Sequence, residues 1–150
     1  MKPLILCDYS GTLDRLDSHL LTSKLEEFEK DCLLICIATD GDSKYARMLW
    51  QSLTNEQHQV FKGVYGIDKL SYEKYSPQYW EKGAPNCFGS AAREICFLID
   101  DDKDNIDNAQ KNGVACFLIE KNKTMIEMLP ELEDAYQQHR IKLIPPWMST

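Results

Sequence analysis

Four short apolar runs, at residues 3–7, 32–38, 95–99 and 115–119, are the strongest constraint on the fold of this chain. They are continuous rather than alternating, the pattern of strands covered on both faces, as in a parallel sheet. Between them the apolar residues fall at helical spacing. Leu21, Leu25 and Phe28 share one face, as do Ala46, Leu49, Trp50 and Leu53. Ile106 and Ala109 mark a further short amphipathic helix, with Gly113 placed to end it. A weaker strand is expected within residues 60–67. Strand and helix alternate, which predicts an α/β fold with a doubly wound parallel sheet of about five strands.

The length of 150 residues suits one domain, a three-layer, Rossmann-like unit. The sheet core is expected in about residues 3–120 and C-terminal helices and a tail in 122–150. Residues 122–138 read as helix interrupted at Pro130, which can begin a second helix but not continue the first. The tail IKLIPPWMST reads as an extended segment laid on the surface, with packing on its own domain expected for Trp50, Trp80 and Trp147. Asp42 reads as the N-cap of a helix starting at Ser43. His19, His58 and His139 stand in polar stretches and are expected at the surface.

A net charge of −7, with 17 scattered Lys and Arg residues, argues against nucleic acid or an anionic membrane as partner. No stretch is apolar enough to span a bilayer, and MKPLILCDYS is too short in its apolar part for a signal peptide. Four of the six cysteines lie in or beside the strand-like runs, and no CxxC or Cys/His zinc spacing occurs. Free thiols in a reducing, cytoplasmic setting are therefore expected.

In sheets of this type ligands bind at the carboxyl ends of the strands. The first run ends in Asp8, the second in Thr39 and the third in Asp100, Asp101 and Asp102. Carboxylates from two strand ends, with a hydroxyl from a third, make an oxygen-rich pocket suited to Mg²⁺ and a phosphoryl group. The fourth run ends in Glu120 and Lys121, to which no role is assigned.

These strand ends resemble the motifs of the haloacid dehalogenase-like (HAD) superfamily. Asp8-Tyr9-Ser10-Gly11-Thr12 is similar to its first motif, Asp-x-Asp-x-Thr after an apolar strand, and ICIAT, ending in Thr39, is similar to the second. Lys74, heading KYSPQYW, looks like the motif-three lysine; Lys69 and Lys82 lack the proline and aromatic spacing behind it. FLIDDDKDNIDNAQKNGV, with Asp100, Asp101 and Asn105, resembles the fourth. The four motifs occur in the family's order between about residues 3 and 120.

The resemblance implies a Mg²⁺-dependent phosphatase in which Asp8 attacks phosphorus and forms an aspartyl-phosphate. Mg²⁺ would be held by Asp8, the backbone carbonyl of Ser10, Asp100 and Asp101, supported by Asn105. Thr12, Thr39 and Lys74 would bind the phosphate. One position departs from the pattern: Ser10 stands where the family's phosphatases carry the Asp that protonates the leaving group. General acid–base catalysis contributes roughly 10²–10⁴-fold, so a slow phosphatase is implied, or alternatively a binding or regulatory module that keeps the fold. Asp14, Asp17 and Asp40, the last directly following Thr39, are the candidate carboxylates to stand in. A dehalogenase would resemble Asp-x-Tyr, whereas Tyr9 comes one place early and should point away from Asp8. The segments that hold caps in the family are short here, which implies a minimal or absent cap and an open site. Such a site suits a phosphate on a bulky partner, for example a phosphoprotein.

Overall fold

The computed structural model describes residues 1–148. Five parallel strands form one sheet in the order β3-β2-β1-β4-β5. They are β1 (Leu4–Cys7), β2 (Leu34–Ala38), β3 (Val64–Tyr65), β4 (Cys96–Asp100) and β5 (Ala115–Leu118). Four of them coincide with the four apolar runs. Side-chain alternation divides the runs between two core layers. Ile5, Cys7, Ile35, Ile37, Phe97 and Ile99 face one; Leu4, Leu6, Cys36, Ala38, Cys96 and Leu98 face the other. Full burial of each large aliphatic side chain contributes roughly 1.5–3 kcal/mol, so a continuous run commits a strand to the middle of the sandwich.

The first layer is covered by α1 (Ser18–Phe28), α3 (Asn55–Val60) and α8 (Met125–Lys142). The predicted stripe Leu21, Leu25 and Phe28 is buried there, and Phe28 stacks on Tyr136 with ring centroids 4.0 Å apart. The second layer is covered by α4 (Ile67–Leu70), a π-helical turn (Tyr79–Gly83), α5 (Ala84–Phe88), α6 (Ala92–Ile95) and α7 (Lys103–Lys111). Helix α2 (Ser43–Ser52) buries Ala46 and Leu49, and Asp42 caps it by accepting from the Tyr45 N–H at 2.9 Å. Gly113 follows α7 with φ +74°, a left-handed backbone that favours glycine.

Several expectations are corrected. The weak strand is only Val64–Tyr65; Val60 ends α3, which starts with a Thr54/Gln57 capping box. Pro130 lies inside one continuous helix, α8, instead of opening a second. It stands in the second turn, where it forfeits a single intrahelical bond, and Met125, Met128, Leu132 and Tyr136 on the buried face hold the helix together. The tail is helical as far as Lys142 and then forms a 3₁₀ turn, Pro146–Met148, on which Trp147 is 81% exposed instead of packed. His139 is 6% exposed, its Nε2 donating to the Ile95 carbonyl at 2.9 Å, because it continues the buried stripe of α8. Trp80 is fully buried, edge-on to Tyr79. All six cysteines are free, and burial pushes the Cys36 thiol up to about 12 and that of Cys32 to about 11.

Two distant parts of the chain are clamped beside the strand ends. Arg15 donates from Nη1 to the Glu120 carbonyl (3.1 Å) and from Nη2 to the Lys123 carbonyl (2.6 Å). Its Nε donates to Asp17 Oδ1 (3.0 Å), and Asp17 Oδ2 accepts from the Met125 N–H at 2.8 Å. Among the described residues, no helix is long and apolar enough to cross a membrane.

Candidate functional site

Strand order reverses between β1 and β4, which opens a crevice at their carboxyl ends. Register decides what meets there. Cys7 pairs with Ile37 on one side and Ile99 on the other. One step further, Asp8 is level with both Ala38 and Asp100, and its N–H donates to the Ile99 carbonyl at 2.8 Å. Because Leu6, Ala38 and Leu98 face the second layer, Asp8 and Asp100 turn toward it as well. Tyr9, next along, packs against the first layer, opposite to Asp8.

Lys74 reaches this point from the turn ahead of the π-helical stretch. It is 2% exposed, and its ammonium meets three acceptors: Asp8 Oδ1 at 2.7 Å, Asp100 Oδ2 at 2.8 Å and the Ala38 carbonyl at 3.0 Å. An ammonium has three donors, so Lys74 is fully engaged within the protein. Its backbone is clamped too. Asp40 Oδ1 accepts from the Lys74 N–H (3.0 Å), and Asn108 Nδ2 donates to the carbonyls of Lys74 (2.9 Å) and Ser76 (2.8 Å). Lys69 and Lys82 lie at the surface, away from the cluster.

Asp100 is buried and saturated. Its Oδ1 accepts from the Asp102 N–H (3.0 Å), and its Oδ2 accepts from Asn105 Nδ2 (3.1 Å) as well as from Lys74. Asp102 caps α7 by accepting from the Asp104 N–H at 2.8 Å. Asp8, Asp100 and Asp101 each offer one ligand atom within 4.8 Å of the others. Gly11, at φ +77°, passes so close to Asp101 that a Cβ there would overlap its carboxylate. Thr39 is nearly buried and accepts from the Gly41 N–H at 3.2 Å. Ser10 is exposed on the rim. Asp8, Thr39, Lys74, Asp101 and Asn105 line one cavity of about 530 Å³ with Ser10 and Asp40. Thr12 is fully buried beneath the loop; its hydroxyl and the Oδ1 of Asn105 are buried polar atoms without a protein partner.

The electrostatics follow from this packing. Three clustered carboxylates face one ammonium, which leaves two negative charges largely out of water. Burial pushes the Asp8 carboxyl up to about 8; Lys74 pulls down, and Asp100 pushes further up. Asp101 is raised as well, chiefly by burial. For Lys74, burial acts downward, but the Asp100 and Asp8 carboxylates outweigh it and raise the ammonium's pKa. Lys74 therefore stays charged, and the surplus negative charge favours a proton on the Asp8–Asp101 pair. A divalent cation carries the charge needed to replace that proton, and an all-oxygen donor set suits Mg²⁺.

Of the three carboxylates considered as substitutes for Ser10, two are committed elsewhere. Asp14 Oδ1 accepts from the Gly11 N–H at 2.7 Å, and Asp17 holds Arg15 and the Met125 N–H. Only Asp40 also lines the cavity, with one oxygen bonded to the Lys74 N–H. Sequence patterns alone do not point to the clamps by Asp40 and Asn108. A partial signal exists for Asn108: it and Asn105 share the buried side of α7 with Ile106 and Ala109, where apolar residues belong.

No protein-family model matches the chain, and no curated protein matches it in sequence. Solved structures do. An uncharacterized protein from Corynebacterium glutamicum is 18% identical, with a TM-score of 0.64 over 91% of this chain and 96% of that one. A HAD family enzyme from Bacteroides thetaiotaomicron, solved with magnesium and inorganic phosphate, is 11% identical, with a TM-score of 0.62 over 85% and 99%. A predicted HAD-like family hydrolase from Porphyromonas gingivalis is 12% identical, with a TM-score of 0.59 over 89% and 98%. At these identities the likeness establishes the fold: the parallel sheet and its helices are arranged as in HAD-family hydrolases.

Proposed function

We propose that the chain is a Mg²⁺-dependent phosphoric-ester hydrolase of the HAD type, with Asp8 as nucleophile and an open site without a cap. The observation that carries this reading is the convergence of Asp8, Asp100 and Asp101 around the buried Lys74 ammonium at the crevice of the sheet. The Bacteroides enzyme of the same fold, solved with magnesium and phosphate, supports it. Asp8 and Asp101, with the carbonyl of Ser10, would hold Mg²⁺, and Asp100 would steady them while holding Lys74. Bound there, the cation offsets the repulsion between the Asp8 carboxylate and the phosphoryl oxygens.

A carboxylate oxygen of Asp8 attacks phosphorus, the P–O bond to the ester oxygen breaks, and the leaving oxygen takes a proton. Water then attacks phosphorus of the aspartyl-phosphate, loses a proton, and releases inorganic phosphate with Asp8 restored. Thr39 and the Lys74 charge stand where negative charge accumulates on the phosphoryl oxygens. Thr12 takes a supporting part, as a buried hydroxyl under the loop that carries the nucleophile. Ser10 cannot serve as proton carrier at neutral pH, and Asp40 is the cavity carboxylate available for that task. Phosphates with good leaving groups, which need little protonation, are therefore the preferred substrates. Asn105 orients Asp100 through its amide.

Hydrolysis of an aryl phosphate, with and without Mg²⁺, tests the reading. Turnover should require Mg²⁺ and disappear in Asp8→Asn; turnover retained in that variant would sink it. Ser10 alone favours the alternative of a binding or regulatory module on the same fold. That alternative predicts Mg²⁺ binding without turnover of any ester and without a tight complex with a phosphate-mimicking fluoride.

A further inference from the structure

A second cavity, of about 470 Å³, lies outside the acidic one, at the β3 side of the sheet. Val64 lines it from the strand, Gly66 from the turn after it, Ala46, Arg47 and Trp50 from α2, and Lys69 from α4. Strand β3 is the outermost on this side. It pairs with β2 through the carbonyls of Gly63 and Tyr65, which accept from the N–H groups of Ile37 (2.9 Å) and Thr39 (3.0 Å). In a parallel ladder the intervening residue turns its N–H and C=O to the other side. Val64 therefore presents a donor and an acceptor to the free edge.

The walls have a distinct chemistry. Arg47 and Lys69 are exposed, and neither has an ion-pair partner among the described residues, on a chain of net charge −7. Trp50 is half-buried and adds an aromatic surface beside Val64 and Ala46. The cavity also adjoins the site. The Ile67 N–H donates to the Gly41 carbonyl (2.8 Å) and the Ser43 N–H to Asp68 Oδ2 (3.0 Å), so the loop after Thr39 is tied to this wall. Gly41 lines the acidic cavity and Ser43 the second one, with one residue between them.

We infer that this groove docks an extended acidic peptide, which adds to β3 as a sixth strand. Its backbone pairs with Val64, its Asp or Glu side chains meet Arg47 and Lys69, and an apolar side chain covers Trp50. The inference rests on the phosphoester reading of the acidic cavity and names its substrate class: a phosphorylated side chain within an acidic protein segment. Two cations on an acidic surface suit a peptide with a few carboxylates, whereas a nucleic acid would be repelled by the rest of the molecule.

The probe is a fluorescein-labelled ten-residue peptide with Glu and Val alternating around a phosphoserine, titrated with the full chain by fluorescence anisotropy. It should bind at least tenfold more tightly than the same peptide with Lys for Glu. The double variant Arg47→Glu/Lys69→Glu, and more mildly Arg47→Gln/Lys69→Gln, should weaken binding, the first by tenfold or more, while aryl phosphate turnover stays unchanged. N-methylation of alternate peptide nitrogens should abolish binding in one phase and spare it in the other. Equal affinity for the acidic and basic peptides, an unchanged Kd in both double variants, or displacement by a single-stranded oligonucleotide overturns the inference. If no ester is hydrolysed but the acidic peptide binds and is lost on charge reversal, the groove stands and the hydrolase reading falls. If aryl phosphate is turned over without any peptide preference, the hydrolase reading stands and the groove falls.

Discussion

Binding of Mg²⁺ at the acidic cluster should expel a proton from Asp8, and the size of the effect follows from the surroundings of that carboxyl. Burial, together with Asp100, holds its pKa at about 8 despite the Lys74 ammonium 2.7 Å away. At pH 6 only about one Asp8 in a hundred is then ionised, so the apparent Mg²⁺ affinity should lie about 100-fold below its plateau above pH 9. Between pH 6 and 7 the Kd should change nearly tenfold per unit, with close to one proton released per ion bound. Calorimetric titration with Mg²⁺ in two buffers of different ionisation enthalpy reads both quantities. The metal-free protein should show the converse. The folded pKa of Asp8 is above its unfolded value, so its stabilisation is complete only below about pH 4 and is lost between there and about pH 8, at up to about 1.4 kcal/mol per pH unit. From pH 6 to 8 the thermal midpoint should fall without Mg²⁺ and be largely restored with it, and Asp8→Asn should remove this fall. A Mg²⁺ affinity that is flat from pH 6 to 8, with no proton released, would refute the reasoning.

Replacing Ser10 by Asp should raise turnover of alkyl phosphates by roughly 10²–10⁴-fold and of aryl phosphates much less, because only the former need their leaving group protonated; equal gains on both would contradict the assignment. His139 has a pKa lowered chiefly by burial, so its contribution is complete above the unfolded value of about 6.5 and is lost as pH falls below it. Thermal melts should therefore drop between pH 7 and 5, and His139→Gln should flatten that slope. Gly11→Ala combines a left-handed backbone with overlap on the Asp101 carboxylate; it should cost about 1–2 kcal/mol from the backbone alone and weaken Mg²⁺ binding, both measurable by melts with and without the ion.

The sheet is legible in the sequence because its strands are buried on both faces, so residues such as Ile5, Ile37 and Leu98 leave no gap in the apolar runs. Strand β3 lies at an edge and has only two residues, half-buried, too few to imprint a pattern. Helix α8 is harder to read because a local signal and a longer one conflict. Proline at 130 suggests a break, although the stripe Met125, Met128, Leu132, Tyr136, His139 runs through it at steps of three and four. That same stripe carries the signal that His139 is buried. Asp8, Thr39, Asp100 and Asp101 can be found as strand ends, since the register of a parallel sheet brings those ends together. The bonds from Asp40 and Asn108 reach a turn at Lys74 more than thirty positions away in the chain, and no local periodicity encodes them.

The clamp at Arg15 ties the order of folding to the order of synthesis. Its partners at Glu120 and Lys123 are 105 and 108 residues further along, and Asp17 caps the start of the last helix from a similar distance. A chain made from its N-terminus at about 5–20 residues per second must therefore wait for its final helix before the loop with Ser10 and Gly11 is fastened. A nascent or C-terminally nicked chain can pair its first strands and still hold that loop unanchored. Proteolysis within residues 120–125 should then abolish turnover while most of the sheet's amide protons remain slow to exchange.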